Sequence, residues 1–289
     1  MDVGLHALGV GTGAERTVID AVAAAAERAG FATLWAGERV VMVDESTSRY
    51  PYSEDGVSPV SVDTDWLDPF ITLSFAGAAT TRIGLATGVL VLPEHNPVAV
   101  AKRAASLDRL CAGRLALGVG IGWVREEFDA LGVPFARRAA RTADYVAALR
   151  ALWRYDVASH DGEFVQFQGV RVNPKPRNRT LPIVLGGNSE AALEQAARWA
   201  DGWYGFNLAD VEEAAEAAST LRRLTRAAGR EPGDLRLCAS LREPMPGDAR
   251  RLADAGFDEM VLVSSPPYDP IAAEAWVGDL ARQWIGPAH

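Results

Sequence analysis

The sequence predicts an α/β protein folded as a (β/α)8 TIM-like barrel, and three observations carry that prediction. Short β-branched runs alternate with longer Ala-rich amphipathic runs along the whole chain, the pattern of βα units on a parallel sheet. Eight such units can be counted, and eight is the number that closes a barrel. The chain has 289 residues, too many for a typical domain of ~100–150 residues but suited to one barrel of roughly 250 with insertions. A single domain over residues 1–289 is therefore expected.

The first strand is read at residues 3–10, and the helix that follows covers 17–29 and stops at Gly30, which can adopt the left-handed cap. Residues 33–37 give the second strand. The period then breaks: residues 40–66 are rich in Ser, Asp, Pro and Tyr, too long for a connector, and are expected to form a functional excursion. Regularity returns with a helix at 68–80 and a strand at 82–92. Next come a helix at 97–111, with Pro97 in its first turn, and a strand at 114–120. Helical patterns at 124–131 and 138–154 follow, then a hairpin and loop insertion at 160–179, so that insertions follow strands 2 and 4. Four further units pair strands at 182–185, 202–207, 235–241 and 259–264 with helices at 189–199, 210–228, 248–255 and 270–284. An open dinucleotide-binding sheet is the competing arrangement, but Gly9-Val10-Gly11-Thr12-Gly13 lacks the phosphate fingerprint's glycine spacing.

Composition excludes several classes of function. A net charge of −9 leaves no overall electrostatic footprint for nucleic acid or an anionic membrane. Two distant cysteines, Cys111 and Cys238, make neither a disulfide framework nor a zinc site. The N-terminus lacks a basic leader and no apolar run is long enough to span a bilayer, so a cytoplasmic protein is expected. No two histidines have metal-ligand spacing and no nucleophile motif occurs, so no metal is expected.

In such barrels the reactive face is built at the C-terminal ends of the strands. That makes candidates of His6, Glu38, Arg39, Thr87, Gly88, Val89, the run Gly118–Trp123, Gly186, Gly187, Asn188 and His95. Gly118, Gly120 and Gly122 alternate along one strand end, where either a ligand approaches the backbone or the barrel turns a corner. Gly186-Gly187-Asn188-Ser189 precedes a helix and is either a phosphate site or a tight turn with an N-cap. Glu38 and Arg39 are either catalytic or an ion pair on the rim. Glu126 and Glu127 open a helix, where carboxylates oppose the dipole. The stretches Arg137-Arg138…Arg141 and Lys175…Arg177…Arg179 are either solvated faces or a receptor for a charged ligand tail. His160 and His289 read as bystanders.

Taken together, Ser48-Arg49-Tyr50-Pro51-Tyr52-Ser53, Asp68-Pro69-Phe70, Thr87-Gly88-Val89-Leu90-Val91-Leu92-Pro93, Asn96-Pro97-Val98, Leu117 through Trp123, Glu126-Glu127-Phe128, Asn173-Pro174-Lys175-Pro176 and Gly186-Gly187 resemble the luciferase-like flavin and deazaflavin oxidoreductases. The resemblance is to the actinobacterial branch that uses coenzyme F420, and it covers most of residues 1–205. It implies a cofactor ring lying across the strand ends, with Thr87, Gly88, Val89, Gly120, Gly122 and Trp123 around it. It also implies a non-proline cis peptide at Gly88–Val89 and the cofactor phosphate at Gly186, Gly187 and Asn188. Glu38, Arg39 and His95 become the catalytic candidates, and Tyr50 and Tyr52 would line the substrate pocket under a 40–66 lid. Many relatives carry Asp-His where this chain has Glu38-Arg39, and an arginine stays protonated, so it cannot act as a general base. The function implied is hydride transfer between F420 and a small organic substrate. An FMN-dependent monooxygenase and a non-catalytic flavin-binding protein are the alternatives. The resemblance further implies a homodimer, which the sequence itself does not show.

Overall fold

The computed structural model describes residues 1–285; His289 lies outside them. In chain order the elements are β1 (Asp2–Leu8), α1 (Arg16–Ala29), β2 (Thr33–Ala36), α2 (Pro69–Ala78), β3 (Gly84–Thr87), β4 (Leu90–Val91), α3 (Pro97–Leu110) and β5 (Leu115–Gly120). They continue through α4 (Arg125–Ala130), α5 (Arg138–Arg154), β6 (Ala158–Asp161), β7 (Gln166–Val170), β8 (Ile183–Gly186), α6 (Glu190–Trp199) and β9 (Gly202–Leu208). The chain ends with α7 (Val211–Ala227), β10 (Arg236–Leu241), α8 (Asp248–Asp254), β11 (Glu259–Val263) and α9 (Pro270–Trp284).

Eight parallel strands close on themselves in the order β1-β2-β3-β5-β8-β9-β10-β11, with β11 returning to β1 in the register Asp2↔Glu259 to His6↔Val263. This is a (β/α)8 barrel. The helix starts follow from local chemistry: Asp68, Asn96, Ser189, Asp210 and Asp269 each accept a first-turn amide. At the other end of α1, Gly30 takes the left-handed cap at φ 89°. β6 and β7 form the antiparallel hairpin expected in the 160–179 insertion, beginning two residues earlier.

Because side chains alternate across each strand, one set faces the helices and the other fills the lumen. Leu5, Leu34, Leu85, Leu117, Ile183 and their neighbours make the large outer core. The lumen holds Trp35, Ala86, Val184, Tyr204, Cys238 and Val261. Two bulky aromatics fit there because facing positions are small; a Cβ on Gly4 would run into the Glu259 carboxylate and come within 2.9 Å of the Trp35 indole.

One element departs from the sequence expectation. Residues 82–92 are not a continuous strand: β3 ends at Thr87, the Gly88–Val89 peptide is cis, and β4 resumes beside β5 with Leu90 opposite Val119. A short 3-10 turn at 92–94 then leads into His95. The glycines of β5 and β8 make room for this break. A Cβ on Gly118 would strike the Thr87 carbonyl, and Cβ atoms on Gly120 and Gly186 would lie 2.7 and 2.9 Å from the Val89 methyls. At Gly118, Gly120 and Gly186 the group that comes close in the fold is the neighbouring strand.

Candidate active site

Four strand ends meet at one side of the barrel mouth and bring the predicted catalytic residues together. Glu38, just past β2, is buried; one carboxylate oxygen accepts from the Val91 amide at 2.7 Å and the other lies 3.0 Å from His95 Nε2. Arg39 does not pair with Glu38. It donates to Glu127 Oε2 at 2.9 Å and lies 4.6 Å over the Trp123 ring, with only 16% of its side chain exposed. The rim ion pair is therefore ruled out, because each member has its own partner inside the site.

Glu127 does more than oppose a helix dipole. Its second oxygen accepts from the amides of Val40 and Val41 at 2.9 and 3.4 Å. Glu126 takes the next stretch, accepting from the Thr47 amide at 2.6 Å and from the hydroxyls of Thr47 and Ser48 at 2.7 Å each. Those bonds to Thr47 and Ser48 hold its carboxyl well below the usual carboxylate range. Two adjacent glutamates on α4 thus fix the start of the 40–66 segment.

That segment lies across the mouth. Tyr50 stands edge-on to both Trp123 and Tyr52, with centroids 5.4 Å apart in each case, and Tyr52 stands 5.1 Å from Phe206. Asn207 Nδ2 donates to the Tyr52 carbonyl at 3.0 Å, and the Leu67 amide donates to the Gly9 carbonyl at 2.8 Å, so the far end is tied as well. Burial pushes the Tyr52 phenol up to about 12 and Tyr50 up as well, so both stay neutral hydroxyls.

Two further groups were not singled out by sequence, or only in passing. Glu94 is buried beside Glu38 and Glu127, and neither of its oxygens has a hydrogen-bond partner. Burial, then repulsion from Glu127 and Glu38, pushes its carboxyl up to about 9, so it is a neutral acid at pH 7. His6 projects from β1 toward Gly37 and Gly88; Cβ atoms on those glycines would meet its ring at 3.2 and 3.1 Å. Its Nδ1 is buried without a partner and desolvation lowers its pKa to about 4, so it is a neutral imidazole. Trp66 Nε1 is likewise buried and unpartnered. A lone Glu in a Pro-containing turn carries no sequence signal of burial, and His6 faced in or out only according to register.

The phosphate candidate is assembled differently from the expectation. Asn188 is not free: its Nδ2 donates to the Phe206 carbonyl at 2.7 Å and its Oδ1 accepts from the Phe206 amide at 3.1 Å. Ser189 caps Ala192, which leaves the first-turn amides of Glu190 and Ala191 without a cap, next to Gly187 at φ 121°. An anion there would be held by backbone amides. The unpartnered His6, Glu94 and Trp66 atoms at the mouth, with this amide cradle, fit a planar cofactor that carries a phosphate. Elsewhere Lys175, Arg179 and His160 are engaged within the protein. Lys175 donates to the carbonyls of Leu152 and Tyr155 at 2.7 and 2.6 Å, Arg179 binds the Arg154 carbonyl and Asp156, and His160 pairs with Asp144 at 2.7 Å. These are scaffold contacts.

The barrel mouth thus gathers aromatic side chains and unpartnered buried polar groups on the face where such barrels do chemistry. Residues 4–283 match the luciferase-like monooxygenase family, and the chain belongs to it. An uncharacterized protein of Mycobacterium tuberculosis is 36% identical over 264 residues, covering 91% of this chain and 92% of that one. The FMNH2-dependent dimethylsulfone monooxygenase of Pseudomonas putida is 36% identical over 147 residues, 49% of this chain and 40% of that one. Among solved structures, the coenzyme F420-dependent tetrahydromethanopterin reductase of Methanopyrus kandleri superposes with a TM-score of 0.76 at 15% identity, over 98% of both chains. No helix among the described residues is long and apolar enough to cross a membrane.

Proposed function

We propose that this chain is a deazaflavin-dependent oxidoreductase that moves a hydride between coenzyme F420 and a small organic substrate, with the whole chain acting as one catalytic unit in the cytoplasm. The observation that carries the reading is the pair of neutral, unpartnered groups, His6 and Glu94, at a glycine-lined barrel mouth. Buried polar groups are ordinarily satisfied, so a pair left open at the face where such barrels do chemistry points to a ligand. The fold shared with the M. kandleri reductase over nearly its full length supports the same reading. Two buried free cysteines suit a reducing compartment.

The bound deazaflavin would supply the hydride chemistry. Val89, with its methyls against the Gly120 and Gly186 positions, would hold the ring together with Thr87, Gly88, Gly122 and Trp123. The amides around Gly187 would hold the phosphate. Glu94, protonated at pH 7, is suited to donate a proton to a substrate oxygen, a role Arg39 cannot fill. Glu38 fixes His95, and Glu127 fixes Arg39 over Trp123, so these four act by holding the site's shape and charge. Tyr50 and Tyr52 would line the substrate side and exclude water.

An FMN-dependent monooxygenase is the second reading, favoured by the similarity to the dimethylsulfone enzyme over half the chain. Titration of the purified protein with F420 and with FMN, followed by fluorescence, separates the two. Micromolar or tighter F420 binding with weak FMN binding is expected, and the reverse preference would overturn the deazaflavin reading. Turnover of the bound cofactor distinguishes either enzyme from a non-catalytic carrier.

A further inference from the structure

We infer that Arg125, Arg138 and Arg141 form an anion subsite at the rim of the barrel mouth, which takes the carboxylate-bearing tail of an extended ligand. Two of the guanidinium groups sit where charge repulsion should separate them, and the third follows one turn along α5. Arg125 and Arg138 both lie over the Phe135 ring, at 4.4 and 3.8 Å from its centroid. Arg141 is 6% exposed, yet its side chain donates only to the Pro134 carbonyl, at 2.6 Å, and lies 5.1 Å over Phe164. Among the described residues none of the three has a carboxylate within 4.0 Å. Arg137, between them in sequence, is taken by Glu163 and is not part of the set. The nearby acids of α4 are engaged elsewhere, Glu126 with the lid and Glu127 with Arg39.

A buried charge without a counter-ion is costly, and bringing a second like charge beside it adds to the cost. The proximity is felt: burial and the Arg125 charge both lower the Arg138 pKa. The same place presents the start of α5, whose N-cap residue Arg137 is left-handed at φ 60° and supplies no side-chain cap. The first turn of that 17-residue helix also carries no acidic residue. Three arginines without carboxylate partners and an uncapped helix start thus leave this stretch of the rim with an excess of positive charge.

Location connects this subsite to the mouth. Arg138 Nε donates to the Gly122 carbonyl at 2.9 Å, beside Trp123, and the Arg125 amide donates to Ser48 of the lid at 3.0 Å. The cations are spread over two aromatic faces instead of converging on one point. That spacing suits several carboxylates along a chain better than one phosphate, and guanidinium forks match carboxylates directly. If the deazaflavin reading above holds, on which this identification of the tail rests, the tail is the cofactor's oligoglutamate.

The test compares binding of F420 carrying several glutamates with its form lacking them, for the native protein and for R125Q and R125Q/R138Q. At low salt the native protein should prefer the tailed form by about tenfold, and the double variant by less than about twofold. Raising the salt should erase the native preference. R125Q alone, whose side chain anchors no backbone atom, should lose part of the preference and guards against misfolding of the double variant. A variant that keeps the native ratio would overturn the subsite. If neither form of F420 binds, the deazaflavin reading falls, and the subsite is read separately with a tetraglutamate peptide by calorimetry. Salt-sensitive binding to the native protein that R125Q/R138Q loses supports it; absent or unchanged binding overturns it.

Discussion

The two ends of this barrel are built on opposite principles. At the N-terminal end, where Thr33, Leu115, Arg236 and Glu259 begin their strands, there is a cavity of about 290 Å³. Its charged groups are paired: Glu259 accepts from Trp35 Nε1 at 3.0 Å and from Arg236 at 3.1 Å, and Arg150 holds Asp201 at 2.9 Å. Arg114 makes five hydrogen bonds, to carbonyls and a hydroxyl at 2.8 to 3.1 Å. At the C-terminal end His6, Glu94 and Trp66 keep buried atoms with no partner, and Tyr204 Oη does so in the lumen between the two ends. This cavity lies at the end opposite the candidate site. Paired charged groups hold the fold together, whereas open buried polar groups ask for a ligand.

Breaking the paired end should produce the largest loss of stability. Glu259→Ala leaves the Trp35 indole and the Arg236 guanidinium without their buried acceptor, and should cost about 3–5 kcal/mol in urea unfolding. Cofactor affinity measured on the folded fraction should be unchanged.

Glu127→Ala is next. It frees Arg39 and two lid amides, so it should cost about 2–3 kcal/mol and lower kcat/KM more than it lowers stability under assay conditions. A loss of stability with unaltered kcat/KM would place Glu127 in the scaffold.

The open end can be read by pH. The Glu94 carboxyl is raised to about 9 in the fold, so the folded chain holds a proton that the unfolded chain releases above about 4.5. Stability therefore falls as pH rises from about 4.5 to 9. Glu94→Gln should remove that slope and stabilise by about 1–2 kcal/mol at pH 8, while slowing turnover. His6 has the opposite sense. Its folded pKa is lowered to about 4, so its contribution is intact above 6.5 and is lost as pH falls toward 4. His6→Gln should flatten unfolding midpoints between pH 4 and 6.5, by about 1 kcal/mol. The smallest effect is expected at the exposed Arg28–Glu274 pair, where Arg28→Ala should change stability by less than about 0.5 kcal/mol.

The same contrast explains what the sequence could and could not disclose. Strands, helices and caps follow from local periodicity and from residues such as Gly30, Asp68 and Asn96, and they lie within two or three residues of their expected places. The break at Gly88–Val89 came only through the family resemblance, since Leu90 and Val91 continue the apolar run. Glu126 and Glu127 read as helix-start acids because their true partners lie about 80 residues away in sequence. The bonds of Asn188 to Phe206 were not legible because Phe206 belongs to the next strand. Glu94 gave no signal because what distinguishes it is an absence of partners, a property of the assembled fold.

Hydrogen–deuterium exchange with and without saturating F420 tests the contrast between the ends most directly. Added protection should fall on residues 37–52, 88–95, 120–127 and 186–191, with residues 201–203, 235–238 and 258–260 unchanged. Protection concentrated on the second set would place the ligand at the paired end and contradict the account.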